Sequence, residues 1–318
     1  MPALTNNMIF VFVNLGLNVL LVHGVSDFHG RVLWSGMGYI GSPIATSISR
    51  ILQLFFFWLY TCAIKKLHQK TWPPFEWETF SCNRISKFCK VGVPTTFGNA
   101  IESWQLQVIT LFASKMGRLQ VATMSGVFQV FTVLHCFAFG LAKATNVRVG
   151  FHLGAGKAKL AKQASLVSIS MAFVIGAIVT IVLIATRQVA GKIYSSDPQV
   201  WELHSKISVF TAIGYLGVSL LISFTATLLG QARPLWVVLI GFICAWGISV
   251  PLAWFLGLRI HMGIRGLWIA LCVGYGMFSL LTGIVVATSS WEKCAEQALK
   301  RSEATEQLLY RKEDEEEQ

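Results

Sequence analysis

An acidic side chain lies near the middle of an otherwise apolar stretch of this chain. The stretch is VPTTFGNAIESWQLQVITLFAS, residues 93–114, and the acid is Glu102. A carboxylate at the centre of a bilayer costs about 2.5–3.5 kcal/mol, so intramembrane acids usually face a cavity and serve a function. We therefore predict that Glu102 binds a proton or a cation in a transport pathway. The alternative is a protonated Glu that hydrogen-bonds to a neighbouring helix.

Polar residues flank Glu102 and make this stretch more polar than an ordinary membrane span. Asn99 and Ser103 can share a helix face with Glu102, since an α-helix has about 3.6 residues per turn. Gln107 lies more than one turn away. We predict that Asn99, Ser103 and Gln107 line the same cavity as Glu102.

Two other polar residues lie within apolar stretches. Arg50 is midway along GSPIATSISRILQLFFFWLY. It can extend to the membrane interface, face a cavity or pair with an acid, and it is retained as a candidate cavity residue. His135 is the only His well inside a predicted span, and we interpret it as a neutral side chain satisfied by packing rather than as a proton relay.

The segment GFHLGAGKA has only a superficial likeness to a phosphate-binding loop. Gly150 and Gly156 enclose five residues instead of four, and Ala158 stands where Ser or Thr would bind magnesium. The 7 Cys residues have no CxxC pair and no regular spacing, so no metal site is predicted. The sequence predicts neither a nucleotide site nor an enzyme, and no cofactor other than a coupling ion, H⁺ or Na⁺.

The composition indicates an all-α integral membrane protein that must position these residues. The 318 residues are 54% hydrophobic and only 13% charged, with a mean hydropathy of +0.60. Apolar runs of about 20 residues suit helices, whereas the strands of a membrane β-barrel alternate over about 10 residues. Eight transmembrane helices are predicted, over residues 4–24, 38–64, 91–114, 120–142, 164–186, 207–229, 235–257 and 266–288.

The net charge of +11 is better explained by membrane topology than by nucleic-acid binding. Of the 26 Lys and Arg residues, 17 lie in one set of loops between the predicted spans and 8 in the opposite set. By the positive-inside rule, both termini are predicted to be cytoplasmic. No basic face with interleaved aromatic residues is present on a polar segment, so no nucleic-acid partner is predicted.

Several segments are similar to the multidrug and toxic compound extrusion (MATE) family of secondary transporters. The most specific is FGLAKATNVRVGFHLGAGKAKLAK, residues 139–162, which resembles the loop motif of the family. VPTTFGNAIESW, GSPIATSIS and ISVPLAWFLGLRIHMGIRGLWIAL also match. The resemblance implies a structural or gating role for four residues of the loop motif: Arg148, Gly150, Gly154 and Gly156.

The resemblance implies a fold of twelve helices in two six-helix lobes, of which this chain matches the last eight and lacks roughly the first four. It predicts the last two helices of an incomplete first lobe over 1–66 and a cytoplasmic linker over 67–90. A complete second lobe is expected over 91–290, followed by a cytoplasmic tail over 291–318. Many members carry a second acid in the fourth helix of the second lobe, and Gly217 lies near that position here.

The resemblance also implies a function. It predicts a secondary active antiporter that exports organic or xenobiotic solutes, expected to be cationic, in exchange for protons or sodium by alternating access. The expected location is the plasma membrane or a vacuolar-type membrane. One alternative is a non-transporting fragment that acts only as a membrane interaction subunit. Another is a lipid-precursor flippase of a related superfamily, but such proteins tend to have several cationic cavity residues, and these spans offer mainly Arg50.

Overall fold

The computed structural model describes residues 2–26, 32–70, 81–301 and 303. Contacts within the chain divide it into two compact units, Met1–Arg84 and Ile85–Gln318. Each unit is described by itself. The predicted domain limits at residues 66, 90 and 290 stay predictions.

The first unit is built from two long helices and a small hairpin. Its elements are α1 (Pro2–Asn18) with a π turn (Val19–His23), β1 (Val25–Ser26), β2 (Val32–Trp34), a 3₁₀ turn (Gly38–Ile40), α2 (Gly41–Trp58) with a π turn (Leu59–Ile64), and a 3₁₀ turn (Leu67–Lys70). The two strands are antiparallel. Gly24 permits this close approach, because it has a φ of +80° and a Cβ there would lie 2.0 Å from the Trp34 carbonyl oxygen.

The second unit contains the remaining long helices. They are α3 (Cys82–Lys115, which begins just before the unit boundary), α4 (Arg118–Gly154), α5 (Ala158–Ala185), α6 (Pro198–Gly230), α7 (Pro234–Phe242), α8 (Val250–Trp254) and α9 (Ile264–Ala287). A 3₁₀ turn (Ala190–Ile193) precedes α6. A further helix, 291–301, is called the tail helix here.

Seven of the described helical segments are long and apolar enough to cross a membrane. They are Leu4–His23, Gly38–Ile64, Arg118–Gly154, Ala158–Ala185, Pro198–Gly230, Pro234–Arg259 and Ile264–Ala287. These match seven of the eight predicted spans. The eighth, 91–114, lies in α3, which is long enough but carries polar residues that lower its hydropathy. Among the described residues, strand is confined to the hairpin, so the predicted helical membrane class is confirmed.

Short polar side chains join α4, α5 and α6 inside the second unit. Thr145 on α4 donates to Ser168 on α5 at 2.5 Å, and the Ser168 hydroxyl lies 2.8 Å from that of Ser223 on α6. Ser165 and Thr227 form a parallel contact of 2.9 Å between α5 and α6. All five side chains are buried. Their hydroxyl groups therefore satisfy one another by hydrogen bonds between the packed helices. Such interhelical bonds contribute roughly 0.6 kcal/mol each.

The helical stretch Pro234–Arg259 changes its winding at two places. A π turn over Ile243–Ser249 separates α7 from α8, and another covers Phe255–Arg259. The first precedes Pro251, which cannot donate a backbone hydrogen bond, so a local change of winding keeps the helix continuous. Trp246 in this π turn donates from Nε1 to the Ile101 carbonyl at 3.3 Å. This bond holds α3 beside α7 at the residue preceding Glu102.

The end of α6 contains a strained residue that yields a stability prediction. Ala232 has a φ of +55° in a Schellman-type turn, in which its N–H bonds to Leu229 and the N–H of Arg233 bonds to Leu228, both at 2.9 Å. The left-handed conformation costs a residue with a Cβ about 1–2 kcal/mol, and glycine avoids this cost. We expect Ala232→Gly to stabilise the protein by about 0.5–1 kcal/mol, after the greater entropy of unfolded glycine is allowed for.

Thermal unfolding of the purified protein in detergent measures this effect. The matched control is Ala144→Gly at an exposed position inside α4. Glycine in a helix interior should destabilise by about 0.5–1 kcal/mol, the opposite sign. A drop in the unfolding temperature for both variants would contradict the assigned strain at Ala232.

Candidate functional site

Glu102 is exposed to a half-open cavity that lies between four helices of the second unit. The cavity has a volume of about 400 Å³ and lies between α3, α4, α6 and α9. Its lining residues are Glu102, Ser103, Leu106, Gln107, Thr110, Phe128, Phe131, Thr132, His135, Phe139, Thr211, Gly214, Tyr215, Val218, Trp268, Leu271, Cys272 and Tyr275. We call this the main cavity. The polar side chains of Glu102, Ser103 and Gln107 on α3 therefore face this cavity.

Among the residues that the structure describes, Glu102 has one hydrogen-bonding neighbour, which lies across the main cavity. The Tyr275 hydroxyl on α9 donates to Glu102 Oε1 at 3.5 Å, which is long for a hydroxyl–carboxylate bond. The carboxylate is therefore only weakly engaged by this contact. It retains acceptor capacity for a proton, an ion or a cationic group of a ligand.

A second cavity reaches the same two side chains. It has a volume of about 130 Å³ and lies between α3, α7 and α9. Glu102 and Tyr275 line both this small cavity and the main cavity. Gln105, which is buried, lines the small cavity and not the main one. The Glu102–Tyr275 pair thus stands where the two spaces adjoin.

Aromatic rings form much of the wall of the main cavity. The ring centroid of Phe131 lies 5.6 Å from that of Trp268 and 5.8 Å from that of Tyr215, and Phe128 lies 5.5 Å from Trp268. The rings come from α4, α6 and α9. Aromatic faces within about 6 Å of a cation attract it, most strongly when water is excluded. A carboxylate beside such a wall suits a cation with an apolar body.

His135 also lines the main cavity, and the interpretation of a fully satisfied packed His is wrong in one respect. Its ring stacks on Tyr215 at 5.5 Å and 13° and on Phe131 at 5.8 Å and 22°, as packing requires. However, its Nε2 is buried and has no hydrogen-bond partner among the described residues. The Trp268 Nε1 in the same wall also has none within that part of the chain. Both nitrogens are therefore buried polar groups with unused hydrogen-bonding capacity.

The structure places the other predicted cavity residues in different surroundings. Ser103 and Gln107 line the main cavity with Glu102. The side chain of Asn99 lies outside the described part of the structure. Gly217, at the position where the resemblance implies a second acid, lines neither cavity and faces a groove between α5, α6 and α9. The predicted role of these residues in binding stays a prediction.

Arg50 belongs to the first unit and is bonded to a neutral partner. Its Nη1 donates to Gln53 Oε1 at 3.0 Å, and Gln53 Nε2 donates to Asn7 Oδ1 at 2.7 Å. These residues line a groove of about 280 Å³ between α1 and α2. Of the three predicted alternatives for Arg50, a groove-facing side chain fits this geometry, without an acidic partner among the described residues.

The motif over 139–162, most of which falls in the predicted loop 143–162, is mostly helical. Arg148, Gly150 and Gly154 lie in the last turns of α4, and only a short turn separates that helix from α5. Arg148 is exposed. The polar residues that ended the apolar run do not end the helix, because backbone hydrogen bonds continue into the aqueous side. The loop assignment between residues 143 and 162 is therefore wrong for most of its length.

Gly156 terminates this motif by adopting a conformation that few other residues tolerate. Its φ is +71°, its N–H bonds to Leu153 at 3.0 Å and the next N–H bonds to His152 at 2.8 Å. This Schellman turn closes α4. A Cβ on Gly156 would lie 3.2 Å from Leu299 of the tail helix. The glycine thus permits both the turn and the close approach of the tail helix.

The tail helix packs against the α4–α5 turn. Its Cys294 and Ala295 are buried in a cluster with Val149, Leu153 and Ala161. Its exposed face carries an ion pair between Glu296 and Lys300 at 2.8 Å, which lowers the pKa of the Glu296 carboxyl and raises that of the Lys300 ammonium. The tail helix is therefore docked on the second unit along its apolar face.

Comparison with known proteins identifies related chains. The MatE family model matches residues 94–255. Protein DETOXIFICATION 17 of Arabidopsis thaliana is 27% identical over 93% of this chain and 62% of its own length. Multidrug and toxin extrusion protein 2 of Mus musculus is 26% identical, over 97% of this chain and 52% of its own. The crystal structure of the eukaryotic MATE transporter AtDTX14 matches with a TM-score of 0.82 at 21% identity, over 95% of this chain and 65% of that chain.

These similarities cover the residues that build the site. The family model spans half of the chain, including Glu102, the motif around Arg148 and the Pro251 region. This chain in turn spans about half to two thirds of the length of the relatives named above. The similarity to a eukaryotic-type family predicted from the sequence is confirmed. The chain belongs to the MatE family of multi-pass membrane proteins.

Proposed function

We propose that the chain acts as a secondary active antiporter that exports an organic solute in exchange for protons by alternating access. The observation that carries this proposal is the position of Glu102, which borders two separate cavities together with Tyr275. A carboxyl group reached from two spaces can take up an ion from one and release it into the other. The relatives named above, an extrusion protein and a MATE transporter among them, support transport as the activity.

The lining of the main cavity favours a cationic solute with an aromatic or aliphatic body. Glu102 is the only acidic residue among the described residues of that lining, and the aromatic wall adds cation–π attraction. Neither Lys nor Arg is among the described residues of either cavity. A flippase for lipid-linked precursors needs cationic groups for phosphate, so this lining argues against that alternative.

Coupling follows if the carboxyl group cannot hold a proton and a cationic solute together. A solute bound to the ionised carboxylate is released when a proton replaces it, and deprotonation restores the solute site. Coupling requires that the two ligands prefer different conformations, since a ligand with equal affinity for both shifts no equilibrium. Sodium is the second candidate coupling ion, because a carboxylate and the Tyr275 hydroxyl are both oxygen ligands.

The charges of the second unit support a cytoplasmic location for the α4–α5 turn. Five cationic residues lie between positions 143 and 162, on both sides of that turn: Lys143, Arg148, Lys157, Lys159 and Lys162. The tail helix packs at the same end of the unit. By the positive-inside rule, both are proposed to lie on the cytoplasmic side, and the proposed location is a plasma or vacuolar-type membrane.

Gradient-driven uptake in vesicles tests the proposed function. The full chain is reconstituted into liposomes with an acidic lumen, and the accumulation of a fluorescent monovalent aromatic cation is measured. We expect uptake that stops when an ionophore collapses the pH gradient. An aromatic anion of equal size is the control solute and should not accumulate. Uptake driven by a sodium gradient at equal pH would instead identify sodium as the coupling ion.

A non-transporting membrane interaction subunit is the alternative function. Binding of the fluorescent cation to the reconstituted chain without gradient-driven accumulation would favour this alternative. It would also refute independent antiport.

A further inference from the structure

A groove separate from both cavities runs along the outside of three helices of the second unit. It has a volume of about 630 Å³ and lies between α5, α6 and α9. Its described lining has no residue in common with the main or the small cavity. The groove is apolar apart from Lys162 and two Ser residues, Ser165 and Ser279, and Ser165 is already bonded to Thr227.

Glycines give this groove its depth. A Cβ on Gly217 or on Gly276 would meet no other atom within 4 Å, so both positions open onto free space. At Gly283 a Cβ would lie 3.2 Å from the ring of Phe224, which forms part of the wall. The helices α6 and α9 thus lack side chains at Gly217 and Gly276, which leaves room in the groove for a ligand.

The length of the groove matches one leaflet of a bilayer. Along α9 it extends from Gly276 to Ala287. At about 1.5 Å per residue this is about 16 Å. The hydrocarbon core of a bilayer is about 30 Å thick, so one leaflet accounts for about half of that. An acyl chain that enters at one surface would end near the glycines.

The two residues at the mouth of the groove have the chemistry of a lipid headgroup site. Lys162 lies in the second turn of α5 and Trp291 begins the tail helix, so both are at the end where α9 finishes. Lys162 is exposed and has no ion pair among the described residues. Trp favours the membrane interface, and Lys at this level attracts anionic headgroups.

We propose that this groove binds a phospholipid with an anionic headgroup. One acyl chain lies in the apolar groove over Gly217 and Gly276, and the phosphate-containing headgroup pairs with Lys162 beside Trp291. The site does not depend on transport, since it shares no lining residue with the cavities around Glu102. Its occupant is a lipid and not a soluble anion, because the groove is much larger and more apolar than a phosphate requires.

Lipid-dependent thermal stability and binding measured on the full chain in detergent test this proposal. The probes are phosphatidylglycerol, phosphatidylcholine with the same acyl chains, and soluble glycerol phosphate. We expect phosphatidylglycerol to bind about tenfold more tightly than phosphatidylcholine. It should also raise the unfolding temperature, by about 5 °C at saturation. Glycerol phosphate should have no effect.

Two variants separate the headgroup site from the acyl-chain site. Lys162→Gln should reduce the affinity for phosphatidylglycerol to that for phosphatidylcholine, whereas Lys159→Gln, exposed in the same helix but outside the groove, should not. Gly276→Leu should weaken the binding of both lipids by filling the groove. Gly140→Leu is its control, because a Cβ there also meets nothing within 4 Å.

Three results would overturn the proposal. They are equal affinity for the two lipids in the unmodified protein, unchanged selectivity in Lys162→Gln, and stabilisation by glycerol phosphate that equals that of the lipid. Lys162 is exposed and is not expected to be needed for folding, so the Lys162→Gln result is informative even if Gly276→Leu is unstable.

Discussion

Glu102→Gln is expected to lower proton-driven uptake of an aromatic cation by about 100-fold. Glutamine has nearly the same size and keeps a hydrogen-bond acceptor for Tyr275, but it can neither bind a proton reversibly nor carry a charge. Removing one partner of a buried charge pair typically costs about 2–5 kcal/mol, and a loss of about 2.7 kcal/mol corresponds to two orders of magnitude in an equilibrium. Uptake rates in vesicles with an acidic lumen measure this effect.

The matched control is Glu202→Gln, which removes an exposed carboxylate from the beginning of α6. Glu202 forms a salt bridge with Lys206 one turn along the helix. Exposed pairs of this kind contribute about 0.3–0.5 kcal/mol, so uptake should change by less than about twofold. Normal pH-dependent uptake by Glu102→Gln would refute the proposed function, since no other described acid borders either cavity.

Gly266→Val is expected to destabilise the protein by about 3 kcal/mol or more. A Cβ at Gly266 would lie 2.7 Å from the carbonyl carbon of Leu256 and 2.8 Å from the backbone nitrogen of Gly257. These are backbone atoms at the π turn over Phe255–Arg259, and they cannot rotate away as a side chain can. Overpacked sites typically cost about 1–3 kcal/mol, and valine adds two further methyl groups to the same contact.

Unfolding of the detergent-solubilised protein and the yield of monodisperse protein measure the effect. Gly140→Val in α4 is the control, because a Cβ there has no neighbour within 4 Å. It should change stability only by the difference in helix propensity, which is a few tenths of a kcal/mol in favour of valine. If the two variants were equally stable, the close contact between α9 and the preceding π turn would not be an important packing constraint.

The helices could be predicted from the sequence because hydropathy reports directly on membrane burial. Seven predicted spans coincide with helices that are long and apolar enough to cross a membrane. Their ends could not be predicted as well, since hydropathy marks where apolar residues stop and not where the helix stops. For this reason α4 extends to Gly154, twelve residues beyond the predicted end of its span at 142. The end of α4 is set by the left-handed conformation of Gly156, which closes the helix.

The site could be predicted only in part. Ser103 and Gln107 share an element with Glu102, so helical spacing suffices to place them beside the cavity. Tyr275 lies 173 residues away along the chain, and its contact depends on how α3 and α9 pack. From the sequence, His135 is interpreted as a packing residue, because its apolar neighbours do not indicate that a cavity borders its ring. The spacing of four residues between Phe131 and His135 is the sequence feature that indicates stacking of the two rings on one helix face.

The position of a single pair of side chains between two cavities has a kinetic consequence. Glu102 and Tyr275 border both spaces, so binding or release of a proton requires only the rotation of one side chain, and rotamer changes take picoseconds to nanoseconds. In the proposed antiport an organic solute crosses the membrane only when the helices that line the cavities move, on the scale of microseconds to milliseconds. Within the proposed antiport, proton loading is therefore at rapid equilibrium during each cycle. The turnover rate should depend on helix motion, and a solvent isotope effect on it should be close to one.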